Sequence, residues 1–307
     1  MAHVFVTRAV TGDALQQLTA AGHDVDVWPG NLPPHPTELR DRAAGADGLL
    51  TMLTERVDQQ LLDAAPRLKA IANYAVGSDN IDLQATAQRS IAVGVTPDVL
   101  TDATADLAFA LLLAAARRLP EAEAAVRTGR WRTWEPRGWL GADVHGATLA
   151  IVGGAGRIGA AVARRARGFD MQVITVGRHD DLHQALQQAD FVSLHVPLTP
   201  ETHHLIDAAA LNAMRPTAIL INTGRGGLVD QQALKRALDD QTIAAAALDV
   251  TDPEPLPADD PLLDAPNLLV VPHIGSATHT ARSRMTAMAV DNLLAALDGR
   301  PMPHPAK

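Results

Sequence analysis

Short runs of apolar and β-branched residues alternate along this chain with longer stretches in which apolar residues recur at helical spacing. Regular alternation of this kind is typical of strand–helix–strand units. Such units build a parallel sheet with helices on both faces. Two series of runs are visible, so the sequence predicts an α/β protein with two doubly wound parallel sheets. The predicted strands are residues 3–8, 47–52, 68–74, 91–96, 147–153, 172–176, 190–196, 218–223, 243–250 and 267–272.

The length of 307 residues suggests two domains, since one domain usually has about 100–200 residues. A helical segment, residues 102–129, and a tryptophan-rich stretch without clear period, residues 131–141, separate the two series and predict the crossover between domains. A last helical segment, residues 279–298, precedes prolines that stop a helix, and it could return to the first domain. The expected domains are residues 1–98 with 280–307, and residues 99–279.

The composition excludes several classes of function. The chain has no cysteine, which excludes disulfides and thiol nucleophiles and is compatible with a reducing compartment. The net charge of −9 disfavours nucleic acid or an anionic membrane as the main partner. No apolar run approaches the ~18 residues of a spanning helix, and the amino terminus lacks the pattern of a signal peptide. The missing cysteine and the missing signal pattern predict a cytoplasmic protein. The histidines lack metal-ligand spacing, so we expect no metal site.

A glycine-rich turn follows the strand predicted at residues 147–153. Gly154 allows a tight turn, Gly156 lets the backbone approach a pyrophosphate, and Gly159 lets the next helix pack on the strand. The start of that helix offers free N–H groups to a diphosphate. A turn without ligand is the alternative. The strand before and the helix after favour a dinucleotide site, in which Arg157 and Ile158 would also contact the cofactor.

The end of the next predicted strand bears on the choice of dinucleotide. An acidic residue at this place usually binds the ribose 2′-hydroxyl of NAD. Here Gly177 is followed by Arg178 and His179, which suit a 2′-phosphate better. Arg178 could instead be a solvated loop charge, and Asp180 or Asp181 could fold back onto the ribose. The missing carboxylate and the adjacent guanidinium favour NADP(H), with NAD(H) as the alternative.

Three further segments place polar residues directly after predicted strands, where a doubly wound sheet has its ligand crevice. These segments are residues 222–227, 249–255 and 272–276. Together with the glycine turn they resemble the NAD(P)-dependent D-2-hydroxyacid dehydrogenases, and within that family the glyoxylate/hydroxypyruvate reductases. The resemblance extends over essentially the whole chain. It implies a Rossmann cofactor domain inserted into a flavodoxin-like substrate domain. Further segments that carry it are residues 73–82, 101–106 and 195–202.

The resemblance implies that Arg225, Glu254 and His273 are the catalytic residues. A planar guanidinium at Arg225 can bind the carboxylate of a 2-oxo acid and polarise its ketone. His273 as imidazolium can donate a proton to the carbonyl oxygen while hydride arrives. Glu254, if it bonds the other ring nitrogen, favours the charged imidazole. Each residue alone could be an ordinary surface or core residue, but three successive strand ends behind a cofactor turn favour catalysis.

The resemblance also implies binding residues. Val76 and Gly77 follow a strand, and their N–H groups could bind the substrate carboxylate, while Leu53 would line the same pocket. Trp134 could reach the pocket of a neighbouring subunit, although packing within a homodimer is the better interpretation. The implied cofactor-side residues are Thr104, His195, Pro197, Thr202, Thr223, Gly224, Asp249 and Gly275.

The sequence therefore predicts a homodimeric enzyme that reduces glyoxylate or hydroxypyruvate to the D-2-hydroxy acid with NADPH, in a cleft between two domains. Two alternatives stay open. One is a related dehydrogenase for another anion, such as phosphite or a bulkier 2-oxo acid. The other is a nucleotide-sensing, corepressor-like binding protein. The chain is shorter than the family pattern between Arg178 and the helix predicted at residues 182–188, which leaves the choice of cofactor open.

Overall fold

The computed structural model describes residues 1–306 and divides the chain into two compact units. Unit 1 comprises Met1–Leu100 and the segment that begins at Ala277, and unit 2 comprises Thr101–Ser276. The expected boundaries, 98/99 and 279/280, fall close to these. No helix among the described residues combines the length and apolarity that crossing a bilayer requires.

Unit 1 contains a five-stranded parallel sheet in the order β2-β1-β3-β4-β5. This is the flavodoxin-like order, and the predicted fold class is confirmed. The returning helix packs on the sheet, because Gly48 leaves room for the side chain of Leu293. The strands are β1 (His3–Val6), β2 (Asp24–Val27), β3 (Gly48–Thr51), β4 (Ala70–Asn73) and β5 (Ala92–Gly94). The helices are α1 (Leu15–Ala20), α2 (Pro36–Ala43), α3 (Gln59–Ala64), α4 (Leu83–Gln88) and, from the carboxyl-terminal segment, α11 (His279–Leu297).

Unit 2 contains a six-stranded parallel sheet in the order β7-β6-β8-β9-β10-β11. The direction of winding reverses between β6 and β8, which is where such sheets bind ligands. The strands are β6 (Thr148–Val152), β7 (Gln172–Val176), β8 (Phe191–Leu194), β9 (Ile219–Asn222), β10 (Ala245–Leu248) and β11 (Leu268–Val270). The helices are α5 (Thr101–Ala116), α6 (Leu119–Arg127), α7 (Arg157–Arg167), α8 (Leu182–Gln188), α9 (Ala208–Ala213) and α10 (Gln231–Asp239).

The edge of the second sheet departs from the common dinucleotide-binding order 3-2-1-4-5-6, because no strand among residues 1–306 pairs with the outer side of β7. The connection from β7 to β8 holds only α8 and its short loops. This connection contains the segment after Arg178 that is shorter than the family pattern.

The helical segment predicted at residues 102–129 forms two helices, α5 and α6, rather than one. Pro120 lacks an N–H group, and its ring would clash with the carbonyl of Ala116 in a continuous helix. That carbonyl instead accepts from the amide of Ala142 at 2.8 Å, and Arg118 takes a left-handed conformation with φ 52°. The proline thus sets the boundary that apolar periodicity alone does not show.

Candidate active site

The glycine turn lies after β6, and its tight packing requires the absence of side chains. A Cβ on Gly154 would lie 2.7 Å from Cγ2 of Thr175, and one on Gly159 would lie 2.5 Å from the carbonyl oxygen of Gly153. Gly156 is the N-cap residue of α7, and no side chain of the described residues caps that helix. The turn therefore brings backbone close to β7 and leaves the first N–H groups of α7 available to an anion.

Two buried polar atoms at neighbouring strand ends fit a bound dinucleotide. Nδ1 of His195, after β8, and Oγ1 of Thr223, after β9, have no hydrogen-bond partner among the described residues. The other ring nitrogen of His195, Nε2, lies 2.8 Å from Oγ of Ser193. A buried polar group without a partner costs about 1–3 kcal/mol, so atoms of this kind are usually explained by a ligand or water. The residues at this edge of the sheet therefore fit the sugar and phosphate groups of a dinucleotide.

His195 is half-buried, and its Nδ1 atom is shielded from solvent. Burial lowers the pKa of His195 to about 4. The imidazole is therefore neutral at physiological pH, with one ring nitrogen able to donate and one to accept.

The end of β7 holds Gly177, Arg178 and His179 as predicted, and the two following carboxylates bond their own backbone. Oδ2 of Asp180 accepts from the amide of Gly177 at 2.7 Å, and Asp181 caps α8. The hydrogen bond from the Thr199 hydroxyl, and in addition the nearby Arg178 guanidinium, lower the pKa of Glu201. Arg178 thus lies at the end of β7, near the loop of residues 195–202, which the resemblance to the family assigns to the cofactor.

That loop is held by its own hydroxyl group. Oγ1 of Thr202 donates to the carbonyl of Pro197 at 2.7 Å and accepts from the amide of Thr199 at 2.8 Å. Thr202 therefore shapes the loop, whatever further contact it makes.

The loop after β9 presents Arg225. Asn222, fully buried, donates from Nδ2 to the carbonyl of Arg225 at 2.8 Å and accepts at Oδ1 from the amide of Gly224 at 3.0 Å. A Cβ on Gly226 would lie 2.0 Å from the backbone carbonyl of Thr251, so this loop packs directly on the loop after β10. Hydrogen bonds of the Asn222 side chain on one side and the close contact of Gly226 on the other fix the base of the half-buried Arg225 side chain.

Asp249 directly follows β10 and holds the loop after β11. Its carboxylate accepts from the amides of Ile274 at 2.6 Å and Gly275 at 2.8 Å. Burial raises the pKa of Asp249, while the two amides and the imidazole of His273 act against that shift. Oγ1 of Thr104 donates to the carbonyl of Gly275 at 3.2 Å. Three of the predicted cofactor residues, Thr104, Asp249 and Gly275, are therefore in direct contact.

His273 and Glu254 form a hydrogen-bonded pair through Nδ1 and Oε1. His273 follows β11, Glu254 follows β10, and the two strands are neighbours in the sheet. His273 has φ 51°, a conformation that few residues other than glycine adopt and that often marks functional sites. A carboxylate bonded to Nδ1 orients the ring and leaves Nε2 for a substrate.

The remaining predicted substrate residues lie elsewhere. Leu53, Val76 and Gly77 belong to loops of unit 1 at the ends of β3 and β4. Trp134 is 79% exposed, in a segment of unit 2 without helix or strand.

Similarity to known proteins identifies the family. The model described as "D-isomer specific 2-hydroxyacid dehydrogenase, NAD binding domain" matches residues 109–275. The chain is 47% identical to glyoxylate reductase of Korarchaeum cryptofilum, over 95% of this chain and 92% of that protein. The chain belongs to the D-2-hydroxyacid dehydrogenase family. It is an oxidoreductase with an NAD(P)-binding domain, and the resemblance seen in the sequence is confirmed.

Solved structures of relatives agree over the full length. The crystal structure of a protein from Thermus thermophilus matches with TM-score 0.94 and 49% identity, covering 99% of this chain and 100% of that one. An NADPH-dependent glyoxylate/hydroxypyruvate reductase from Sinorhizobium meliloti, in complex with NADP and malonate, matches with TM-score 0.84 and 31% identity, covering 99% and 96%.

Two residues of this oxidoreductase shape the site without having been predicted from the sequence. Asn222 shapes the loop of Arg225, and Ser193 bonds the ring of His195. Each is the one polar residue of an otherwise apolar strand, Asn222 at the end of β9 and Ser193 within β8, and this isolated polarity is the signal in the sequence. A polar side chain in a fully buried strand requires a partner, and here the partner is a loop of the site.

The neutral state of His195 predicts a pH dependence of stability. Between about pH 6.5 and 4 the unfolded chain binds a proton that the folded chain does not, so the free energy of unfolding falls as pH falls. Between pH 7 and pH 5 we expect the free energy of unfolding of His195→Gln to fall by about 2 kcal/mol less than that of the native protein. Urea unfolding at both pH values measures this difference, with the exposed His183→Gln as the control. Equal pH dependence in all three proteins would contradict a buried neutral imidazole.

Proposed function

We propose that this oxidoreductase reduces a small 2-oxo acid, glyoxylate or hydroxypyruvate, to the D-2-hydroxy acid with NADPH as the hydride donor. The observation that carries the proposal is the His273–Glu254 pair beside the strand end that presents Arg225. Reduction of a 2-oxo acid needs a proton donor at the ketone oxygen and a cation at the carboxylate, and these residue types supply both. The glyoxylate reductase names of the relatives support this substrate class.

The residues at the carboxyl edge of the second sheet would hold the dinucleotide. Gly154, Gly156 and Gly159 with the start of α7 would take the pyrophosphate, and His195 and Thr223 offer buried polar atoms further along the edge. When bound, the reduced nicotinamide ring supplies a hydride to the carbonyl carbon of the substrate.

Arg225 binds and orients the substrate in this proposal. Its guanidinium forms paired hydrogen bonds with the carboxylate and stabilises negative charge that develops on the ketone oxygen. The N–H groups of Val76 and Gly77, with Leu53 nearby, are proposed as donors to a substrate carboxylate. A small, charged substrate is favoured because the binding groups are a cation and backbone amides.

His273 moves the proton. Its Nδ1–H donates to Glu254, so a second proton on Nε2 is the one transferred to the ketone oxygen. Glu254 holds the ring in place and stabilises the imidazolium before transfer. In the reverse direction neutral Nε2 accepts the proton of the hydroxyl group.

Substrate and activity are tested together by mixing the protein with NADPH and each candidate acid. We expect the near-ultraviolet absorbance of NADPH to fall with glyoxylate and hydroxypyruvate. Phosphite with NADP⁺ and bulkier 2-oxo acids serve as alternatives, and turnover of one of those alone would replace the proposed substrate. Binding of nucleotide without turnover of any acid would favour a nucleotide sensor.

The preference for NADPH rests on Gly177, Arg178 and His179. No carboxylate stands at the residue that directly follows β7, and a guanidinium follows it, which suits a 2′-phosphate. Arg178→Ala is expected to lower kcat/KM for NADPH by about 10- to 100-fold and that for NADH by less than about threefold, since only NADPH carries the phosphate. The exposed Arg167→Ala, at the end of α7, is the control. Higher kcat/KM with NADH in the native protein would reverse the assignment.

We also propose that the protein is a homodimer. Trp131, Trp134 and Leu140 are 60%, 79% and 66% exposed, and several large exposed apolar side chains within one short segment favour a contact surface for a partner. This supports packing rather than catalysis for Trp134. The cytoplasmic location and the absence of nucleic acid or membrane partners remain predictions from charge and composition.

A further inference from the structure

Two loops of unit 1 lie at the carboxyl ends of the neighbouring strands β3 and β4. The first, residues 52–57, contains Leu53, and the second, residues 74–81, contains Val76 and Gly77. Both are irregular, and one parallel bridge, between Val57 and Ile81, joins their far ends. Backbone amides in loops of this kind bind an anion well only if other groups hold the loops in place.

Asn80 connects the two loops through its side chain. Its Nδ2 donates to the carbonyl of Met52 at 3.0 Å and to the carbonyl of Glu55 at 2.9 Å. Its Oδ1 accepts from Nδ2 of Asn73 at 2.9 Å, and its own carbonyl accepts from the amide of Val57 at 2.9 Å. One side chain thus bonds both ends of the turn that carries Leu53.

Glu55 holds the first loop from inside the unit. The residue is 3% exposed, and Oε2 accepts from Oγ1 of Thr7 and from the amide of Met52, each at 2.6 Å. Oε1 accepts from Oγ1 of Thr54 at 2.6 Å. A buried carboxylate is costly without donors, so loss of one donor disturbs the others. Met52 is consequently fixed at its amide by Glu55 and at its carbonyl by Asn80.

Asn73 fixes the second loop. It is fully buried at the end of β4 and donates from Nδ2 to the carbonyl of Gly77 at 2.8 Å. Its Oδ1 accepts from Oγ1 of Thr51, at the end of β3, at 3.1 Å. The peptide that carries Gly77 is therefore tied to the rigid ends of two central strands.

We propose that Asn80 and Glu55 are positioning residues that hold the loops of Leu53 and Gly77 in the arrangement that binds the substrate carboxylate. The inference rests on the proposed function, in which these loops meet that carboxylate. Amides already oriented before binding lose little entropy on binding, so a loosened network weakens substrate binding while bound substrate still reacts. The expected signature is a raised KM with little change in kcat.

Matched substitutions at Thr7 give the sharpest test. Thr7→Val keeps shape and removes the hydroxyl donor to Glu55, whereas Thr7→Ser keeps the donor. We expect Thr7→Val to raise KM for glyoxylate about 5- to 10-fold and Thr7→Ser to leave it within about twofold, since one charge-assisted hydrogen bond is lost only in the former. In both variants kcat and the Kd for NADPH stay within about twofold.

Asn80→Ala removes both loop contacts and is expected to raise KM about 10- to 100-fold, with the exposed Asn31→Ala as the control. A lowered melting temperature with unchanged KM in Thr7→Val and Asn80→Ala would assign the network to stability alone and overturn the inference. Faster amide hydrogen exchange in residues 52–57 and 74–81 of Asn80→Ala, with the central strands unchanged, checks that the effect is local.

Oxalate, an inert analogue of a 2-oxo acid, separates this inference from the proposed function. If native protein binds oxalate in the presence of NADPH but reduces no 2-oxo acid, the proposed function fails. The positioning inference is then still decided by the Kd for oxalate, which should rise about 5- to 10-fold in Thr7→Val but not in Thr7→Ser. An oxalate Kd that is equal in both variants, or absence of oxalate binding to the native protein, would overturn it.

Discussion

Arg225→Lys is expected to lower kcat/KM for glyoxylate by about 100-fold, and Arg225→Ala by about 10³- to 10⁴-fold, or about 4–5.5 kcal/mol of transition-state stabilisation. Lysine keeps the positive charge but lacks the planar pair of donors that match a carboxylate. Alanine removes both the charge and the donors. The graded loss follows if Arg225 both binds the carboxylate and stabilises charge on the ketone oxygen.

The loss should appear mainly in KM for lysine and in both KM and kcat for alanine. Steady-state kinetics with glyoxylate and NADPH measures both parameters, and fluorescence titration gives the Kd for NADPH, which should stay within about threefold of the native value. Arg236→Lys, an exposed substitution on α10, is the matched control and should change nothing. An Arg225→Lys variant with native kcat/KM would show that a point charge is enough and that no paired contact exists.

The fold could be predicted largely because apolar periodicity determines it. Ten of the eleven strands lie within predicted runs, since each contains at least two consecutive apolar residues. The exception is β2, whose sequence alternates aspartate with valine at the edge of the first sheet. An edge strand buries little surface, so its composition resembles that of a loop. Similarly, the break between α5 and α6 depends on one proline rather than on a change of periodicity.

The catalytic residues are predicted from the resemblance to the family, because an arginine, a glutamate or a histidine at a strand end has many possible roles when taken alone. The structure adds the direct contact of His273 with Glu254. The supporting contacts were not predictable, because they depend on three-dimensional proximity. Asp249 bonds amides 25 and 26 residues away in the sequence, and no local pattern indicates that partner.

The same limit applies to Asp180 and Asp181. From the sequence, either carboxylate could bond the ribose, which left the choice of dinucleotide open. In the structure Asp181 caps the start of α8, and Asp180 accepts a hydrogen bond from the amide of Gly177. A short side chain near a helix start or turn bonds local backbone first, because that contact costs little entropy.

His273→Asn is expected to lower kcat for glyoxylate by about 10³-fold, within the range of about 10²–10⁴ that a positioned proton donor contributes. Asparagine is polar and of similar size near the backbone, but it carries no transferable proton. Binding of NADPH should stay within about threefold of the native Kd, because Gly275 and Asp249 hold the loop independently of the ring. His279→Asn, an exposed substitution six residues further along the chain, is the control.

Glu254→Gln should lower kcat by about 10- to 100-fold, since glutamine can still accept from Nδ1 but does not stabilise an imidazolium by charge. The decisive comparison is the double variant. Glu254 acts on the substrate only through His273. Adding Glu254→Gln to the His273→Asn variant should therefore lower kcat by less than about threefold. Multiplication of the two single losses in the double variant would instead mean that Glu254 acts on the substrate by a route of its own. The proton would then reach the ketone oxygen by a path that the contact between Nδ1 and Oε1 does not provide.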